Sequence, residues 1–144
     1  MIEPNPVVWL MGPTSAGKTT LARALSERLR ARGGVPIINW DGDQVRDMLG
    51  DILDFTPESR LQVVHTLATL ALSTAQAGVL TIVSALTAHD DARQLIRDLL
   101  PHLLVVYVKC SVETCMERDP KGLYRQAAAK IPGKRCVITM WFGA

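Results

Sequence analysis

The chain has 144 residues, of which 48% are hydrophobic and 21% are charged. We expect a single domain over residues 1–144, because two domains would each lie near the lower size limit. The composition excludes a disordered chain, a collagen and a coiled coil. The net charge is only +2, so the sequence does not predict a nucleic-acid partner.

The cysteines indicate a reducing compartment. Cys110, Cys115 and Cys136 form no CxxC pair and no zinc-binding pattern with histidine. We therefore expect reduced thiols in a cytoplasmic protein rather than a disulfide framework or a metal site. The first residues lack a basic n-region, which predicts no signal peptide.

A stretch without charged residues, 61–89, is long enough to suggest a membrane span. Polar residues interrupt its first part, Gly78 divides it, and β-branched residues follow the glycine. This pattern favours a helix, a glycine at the helix end and a buried strand. We therefore expect no membrane contact.

Apolar runs alternate with helical patterns along the whole chain. Strands are predicted at residues 7–11, 35–40, 79–86 and 103–108, and helices at 18–32, 44–49, 57–77, 90–100, 112–118 and 123–129. Uniformly apolar strands alternating with helices are typical of a parallel sheet covered on both faces. We predict an α/β fold with a mainly parallel sheet of about five strands flanked by helices. Ligands bind such sheets beyond the carboxyl ends of the strands.

The first predicted strand is followed by G-P-T-S-A-G-K-T at residues 12–19. This segment matches the phosphate-loop pattern G-x-x-x-x-G-K-[ST] and lies between a strand and a helix, as that motif requires. Its backbone N–H groups and the helix N-terminus favour a phosphate. We predict a three-layer P-loop NTPase fold that binds ATP or GTP with Mg²⁺. The predicted nucleotide-binding residues are Gly12, Thr14, Ser15, Ala16, Gly17, Lys18, Thr19 and Thr20.

Within this loop, Lys18 is predicted to reach the β- and γ-phosphates, and the Thr19 hydroxyl to ligate Mg²⁺. Asp41-Gly42-Asp43 follows the second predicted strand. A carboxylate there can accept a proton from an attacking hydroxyl or hold Mg²⁺ through water. The Asp-Gly-Asp tripeptide is also common in ordinary turns. Because it occurs together with a phosphate loop, a functional role is favoured over a purely structural one.

Four stretches of the sequence together resemble the adenylylsulfate kinase family, which phosphorylates the 3′-hydroxyl of adenosine 5′-phosphosulfate. They are residues 12–20, D-G-D-Q-V-R at 41–46, F-T-P-E-S-R at 55–60 and C-M-E-R-D-P-K-G-L-Y at 115–124. Their order and approximate spacing agree from residue 7 to about residue 129. The resemblance implies an ATP- and Mg²⁺-dependent cytoplasmic kinase of sulfate assimilation, with a nucleotide as its small-molecule acceptor. Family members are commonly dimers, so we expect a homodimer.

On the donor side, the resemblance implies that Asp43 is the catalytic carboxylate near Mg²⁺ and the 3′-hydroxyl. Lys18 would act with it in the transfer. Arg118 would lie against the adenine of ATP, or it is simply a surface charge near a turn.

On the acceptor side, the resemblance implies five binding residues, namely Asp41, Arg46, Phe55, Arg60 and Lys121. The two arginines would grip the phosphosulfate, since guanidinium groups suit such anions. Phe55 would stack on the acceptor adenine, and Lys121 would reach the acceptor or cover it from a mobile lid. The alternatives are a core residue at Phe55, solvated helix arginines and a surface lysine.

The sequence departs from the family's pattern mainly on the acceptor side. The residue three positions after Arg60, usually Asn, is Val63. Asp90 stands in a shortened loop near a place where a basic residue is expected, and an acid there would repel an anionic acceptor. Asp54 replaces a glycine and is harmless if it points to water.

The C-terminal segment also departs from the family's pattern, from residue 131 onward. Residues 136–142 are predicted to form a substitute edge strand, with Trp141 or Phe142 as an aromatic wall; a truncated or frameshifted end is equally compatible. These departures leave two alternatives open. One is a related kinase acting on another nucleotide or small-molecule hydroxyl, and the other is a nucleotide-binding protein with little or no catalysis.

Overall fold

The computed structural model describes residues 4–50, 54, 56–119, 122 and 125. The elements of the described chain are, in order, β1 (Val7–Met11), α1 (Lys18–Arg32), β2 (Ile37–Asp41), α2 (Gly42–Leu49), α3 (Pro57–Gln76), β3 (Leu80–Ser84), α4 (Asp90–Leu99), β4 (Leu103–Tyr107) and α5 (Val112–Arg118). The predicted helix at 123–129, except for Arg125, and the predicted strand at 136–142 lie outside the described residues.

The strands form one parallel sheet with the order β2-β3-β1-β4. The described residues carry four strands, against about five predicted from the sequence. Strand β1 lies between two neighbours, with Val8 paired to Ile82 of β3 and to Leu104 of β4. All its residues are buried, which explains why the run is apolar throughout.

The two faces of β1 pack against different helices. Trp9 and Met11 belong to a core cluster that includes Leu67 on α3 and Ile96 on α4. Leu10 belongs to a second cluster, formed with the apolar side of α1. The sheet is therefore covered on both faces, and the predicted three-layer α/β fold is confirmed.

Helix α3 accounts for the long stretch without charges. It begins at Pro57, with the Thr56 hydroxyl accepting a hydrogen bond from the N–H of Ser59, as the Thr-Pro sequence predicts. Its threonine hydroxyls donate to carbonyl oxygens of its own preceding turns. Within the described ranges, we find no helix with the length and apolarity that a membrane crossing needs.

Several element ends differ from the prediction by one or two residues. Strand β2 begins two residues later than predicted, at Ile37, because Pro36 has no N–H for the ladder. Helix α2 begins two residues earlier, at Gly42, because the Asp41 side chain caps it. The loops after the strands open at the same edge of the sheet, which is where the candidate site lies.

Candidate active site

The loops that follow the four strands enclose one cleft of about 1650 Å³. Its walls include residues 14–23, 39–44, 84–89 and 108–110, together with side chains from the first turns of α3 and the end of α5. A pocket for one small molecule usually occupies roughly 300–1,000 Å³. The cleft therefore has room for two ligands of nucleotide size side by side.

The loop at residues 12–17 needs its two glycines for different reasons. Gly12 has φ +154°, and a Cβ there would lie 2.5 Å from the carbonyl oxygen of Val108. Gly17 has φ +101° at the N-cap of α1, a conformation that side-chain-bearing residues rarely adopt. The close backbone approach therefore requires glycine at position 12, and the left-handed turn requires glycine at position 17.

Lys18 and Thr19 begin α1 and face the cleft. The Lys18 Nζ donates to the carbonyl oxygens of Gly12 at 2.9 Å and Pro13 at 2.8 Å, so the ammonium lies over the loop. The first-turn amides of a helix have no partners within the helix and carry its positive end. Loop, ammonium and helix terminus together form a site for an anion.

Ser15 provides a test of whether a phosphate fits this loop. It has φ +68°, and its buried Oγ has no hydrogen-bond partner among the described residues. A left-handed conformation costs about 1–2 kcal/mol for a residue with a side chain, and an unsatisfied buried polar group costs about 1–3 kcal/mol. A ligand with acceptor oxygens would satisfy the hydroxyl, so the residues present fit a nucleotide phosphate.

The oxygen donors next to the loop also fit Mg²⁺. Among the residues that the structure describes, no three His, Cys, Asp or Glu side chains are grouped to hold a metal ion. Mg²⁺ commonly keeps several waters and takes only one or two protein oxygens together with substrate phosphates. The Thr19 hydroxyl, with Asp41 and Asp43 beside it in the cleft wall, suits that mode.

Asp41 connects α1 with the start of α2. Its Oδ2 accepts from the Thr19 hydroxyl at 2.8 Å, and its Oδ1 accepts from the Asp43 N–H at 2.8 Å. Both carboxylate oxygens are thus engaged beside the phosphate loop. The acceptor role that the resemblance implies for Asp41 stays a prediction. Asp43 is exposed at the start of α2 and lines the same cleft.

Arg46 on α2 and Arg60 on α3 line the same cleft. The Arg46 Nη1 donates to the Asp54 carbonyl oxygen at 3.0 Å. Burial lowers the pKa of Arg46, while the charges of Asp43 and Asp54 act in the other direction. Both arginines are partly buried, so the cleft that holds the phosphate loop also holds two guanidinium groups.

Asp54 has a structural role that the sequence analysis did not assign to it. Its carboxylate accepts from the Thr56 N–H at 3.0 Å, the Thr56 hydroxyl at 2.6 Å and the Ser59 hydroxyl at 2.7 Å. These hydrogen bonds lower its pKa to about 2. An Asp two residues before a Thr-Pro helix start is a turn pattern that could have revealed this network.

A second overlooked contact lies deeper in the molecule. The Trp9 indole N–H donates to the Thr87 hydroxyl at 2.9 Å, and both residues are buried. Thr87 has φ +50° and lines the cleft in the loop between β3 and α4. The partners are 78 residues apart, so no local sequence signal could have predicted the contact.

Arg118 ends α5 beside the phosphate loop. Its Nη1 lies 3.5 Å from the Ala16 carbonyl oxygen and 3.8 Å from the Cys110 Sγ, in the wall of the cleft.

The predicted acceptor residues Phe55 and Lys121 lie outside the described residues, as do Trp141 and Phe142.

A family model described as Adenylylsulphate kinase matches residues 5–137 of the chain. The chain belongs to the adenylylsulfate kinase family. The adenylyl-sulfate kinase of Vibrio vulnificus (strain YJ016) is 41% identical over 125 residues, which are 85% of this chain and 60% of that protein. The probable adenylyl-sulfate kinase of Archaeoglobus fulgidus is 38% identical over 121 residues, 84% of this chain and 77% of that protein. The chain thus spans less than two thirds of the Vibrio relative's length.

A solved structure of the family has the same fold. The Mycobacterium tuberculosis APS kinase CysC, in complex with AMPPNP and APS, superposes with a TM-score of 0.83 at 28% identity. The superposition covers 90% of this chain and 76% of the other. It confirms that the fold is that of a P-loop kinase.

Two departures from the adenylylsulfate kinase pattern can now be placed. Val63, where that family usually has Asn, is buried and lines the cleft, so this part of the wall is apolar. The Asp90 side chain is 97% exposed and pairs with Arg93, whose hydrogen bond and charge lower the pKa of Asp90. Residues 84–89 and Asp91 line the cleft, whereas Asp90 does not, so the carboxylate that this region adds to the cleft wall is that of Asp91.

Proposed function

We propose that the chain is an ATP-dependent kinase acting on adenosine 5′-phosphosulfate. It would transfer the γ-phosphoryl group of ATP to the 3′-hydroxyl, giving 3′-phosphoadenosine 5′-phosphosulfate and ADP. The observation that carries the proposal is the single cleft that joins the phosphate loop, Asp43 and two arginines. The family relative's complex with AMPPNP and APS supports a fold that accommodates both nucleotides.

On the donor side, the loop amides and Lys18 would bind the β- and γ-phosphates of ATP and hold them in line with the acceptor. Thr19 would hold Mg²⁺, with Asp41 and Asp43 as its neighbouring carboxylates. When bound, the metal neutralises charge on the phosphates. Asp41 would keep the Thr19 hydroxyl in place through their 2.8 Å hydrogen bond, and Arg118 would pack near the ATP base.

On the acceptor side, Arg46 and Arg60 would bind the phosphosulfate through charge-assisted hydrogen bonds. Asp43 would accept a hydrogen bond from the 3′-hydroxyl and take its proton late in the transfer. The hydroxyl oxygen would form the new bond to the γ-phosphorus while the bond to the bridging oxygen of ADP breaks. Phe55 and Lys121 stay predictions for the same acceptor.

The test is product formation by the purified protein with Mg·ATP and adenosine 5′-phosphosulfate, read by mass spectrometry. We expect the 3′-phosphorylated product from the wild type and none from Asp43→Ala, with Mg·ATP binding retained in both. Asp98→Asn is the matched control, because Asp98 is an exposed carboxylate on α4 that contacts Gln94. Mg·ATP binding without turnover of any acceptor would instead favour a nucleotide-binding protein with little catalysis.

A second candidate is a kinase for another nucleotide or small-molecule hydroxyl, and the apolar wall at Val63 favours it. Sites that hydrogen-bond one polar acceptor discriminate strongly when a partner is missing. Val63→Asn is therefore the informative variant for an acceptor panel. A lower KM for adenosine 5′-phosphosulfate in this variant would support the first candidate, and turnover of a different acceptor by the wild type alone would support the second.

We further propose that the chain forms one domain, assembles as a homodimer and acts in the cytoplasm. The homodimer rests on the family resemblance. Light scattering of the purified protein at several concentrations tests it, since a mass that stays at one chain would contradict it.

A further inference from the structure

Asp54 is exposed and lies outside the wall of the cleft, yet it contacts both elements that carry the acceptor arginines. Its carboxylate binds the residues that begin α3, and its carbonyl oxygen binds a side chain of α2. Through these contacts Asp54 affects the positions of Arg46 and Arg60 in the cleft without contacting a ligand itself.

The first connection runs through the start of α3. The Asp54 carboxylate accepts three hydrogen bonds, from the Thr56 N–H, the Thr56 hydroxyl and the Ser59 hydroxyl. Thr56 in turn caps the helix through the Ser59 N–H, and its carbonyl oxygen accepts from the Arg60 N–H at 3.1 Å. Arg60 is therefore fixed in the first turn of a helix whose start is doubly capped.

The second connection runs through Arg46. Its Nη1 donates to the Asp54 carbonyl oxygen at 3.0 Å, and the Arg46 guanidinium also lies in the field of the Asp43 and Asp54 carboxylates. A long arginine side chain loses rotamer entropy when it is ordered. A contact that orders it before the ligand arrives removes part of that cost from binding.

We propose that Asp54 is a positioning residue for the acceptor nucleotide, holding Arg46 and Arg60 in their binding geometry. This rests on the proposed function, since both arginines are assigned there to the phosphosulfate. The Asp54 carboxylate is itself an anion and would repel a phosphosulfate. It acts through the two arginines, while its Oδ1 accepts the hydrogen bonds from Thr56 and Ser59.

Steady-state kinetics of Asp54→Ala measure this role. We expect the acceptor KM to rise about fivefold to tenfold, as for loss of a helix cap that orders a binding residue. The kcat at saturating acceptor and the KM for ATP stay within about twofold, because uniform binding is lost rather than transition-state stabilisation. Asp54→Asn keeps one acceptor oxygen and restores part of the acceptor KM.

A double-mutant cycle separates positioning from simple helix capping. In an Arg46→Gln background, Asp54→Ala is expected to have a smaller effect on the acceptor KM than in the wild type. Alanine keeps the carbonyl oxygen that binds Arg46, so the substitution reaches Arg46 by releasing the turn that holds this oxygen in place and by removing the carboxylate charge that acts on the guanidinium. Asp98→Asn is the control and leaves all constants unchanged. An unchanged acceptor KM in Asp54→Ala with a lowered unfolding temperature, or an equal effect in both backgrounds, would overturn the proposal.

The wild type is assayed first, so that failure of the proposed function appears there and not in the variant. Hydrogen exchange without any acceptor then tests Asp54 on its own. Asp54→Ala is expected to raise exchange at the amides of Ser59 and Arg60, and unchanged exchange at both would overturn the positioning role even if the wild type is inactive on adenosine 5′-phosphosulfate.

Discussion

The donor wall of the cleft, defined here as residues 12–20, is one continuous segment, whereas the acceptor wall is assembled from separate elements. Residues 12–20 take their shape from backbone turns between a buried strand and a helix. Arg46, Arg60 and Val63 come from two helices that are joined through Asp54. The donor wall offers backbone amides to its ligand, and their positions depend little on side chains elsewhere. The acceptor wall offers side chains, so each substitution there changes the groups that meet the ligand. This contrast agrees with the departures from the family's pattern within the cleft, which lie mainly on the acceptor side.

Lys18→Ala is the substitution that we expect to impair the donor wall most. It removes the charge over the loop and the two hydrogen bonds to the carbonyl oxygens of Gly12 and Pro13. We expect kcat/KM for ATP to fall by roughly 10²–10³-fold, the usual effect of removing a preorganised electrostatic group. Steady-state assays measure this, with circular dichroism to show that the variant is folded. A fall of less than about tenfold would contradict the role given to Lys18.

The matching change in the acceptor wall is Arg60→Gln. Hydrogen bonds to charged groups contribute about 1.5–3 kcal/mol, so we expect the acceptor KM to rise about tenfold to a hundredfold. The KM for ATP should stay within about twofold if the two walls act separately. The control is Arg97→Gln, an exposed arginine on α4. An equal rise in both KM values would show that the walls are not independent.

Two substitutions at Ser15 separate strain from hydroxyl chemistry within the donor wall. Ser15→Gly relieves the left-handed φ of +68°, and Ser15→Ala removes the hydroxyl but keeps the strain. We expect the glycine variant to be more stable than the alanine variant by about 1 kcal/mol, with the flexibility of glycine partly offsetting the relief. Urea unfolding measures the difference, and a more stable alanine variant would contradict it.

The smallest expected effect is the pH dependence of the Asp54 network. Its pKa is about 2 in the folded protein against 3.8 for the ordinary group. A lowered pKa stabilises the fold above the unfolded value, and this contribution is lost as pH falls through the folded value. The stability difference between wild type and Asp54→Asn should therefore be constant near neutral pH and shrink from about pH 4 toward about pH 2. Urea midpoints across this range measure it, and a difference that grows on acidification would contradict it.

The parts of the molecule that could be predicted are those set by neighbours in the sequence. The phosphate loop, α1 and the Thr56-Pro57 start of α3 all follow from short patterns. Strand β3 ends at Ser84, two residues before its predicted end. Its chain turns away there because Thr87 adopts a left-handed conformation and binds Trp9.

The acceptor side could be predicted only in part. Arg46 and Arg60 line the cleft, but nothing in the sequence shows how α2 and α3 approach each other. The contact between Arg46 and the Asp54 carbonyl oxygen depends on that approach. The pairing of Asp90 with Arg93, by contrast, is a local i, i+3 contact at the start of α4 and follows from the predicted helix.

The hydrogen bond between Trp9 and Thr87 makes the intrinsic fluorescence of Trp9 a reporter of ligand binding in the cleft. The Trp9 indole is 0% exposed and is tied at 2.9 Å to the loop that lines the cleft. Of the three tryptophans of the chain, Trp40 and Trp141 can be replaced by phenylalanine to leave one emitter. Any displacement of that loop by a ligand then alters the emission of a buried fluorophore, so nucleotide titrations can be followed without an added dye.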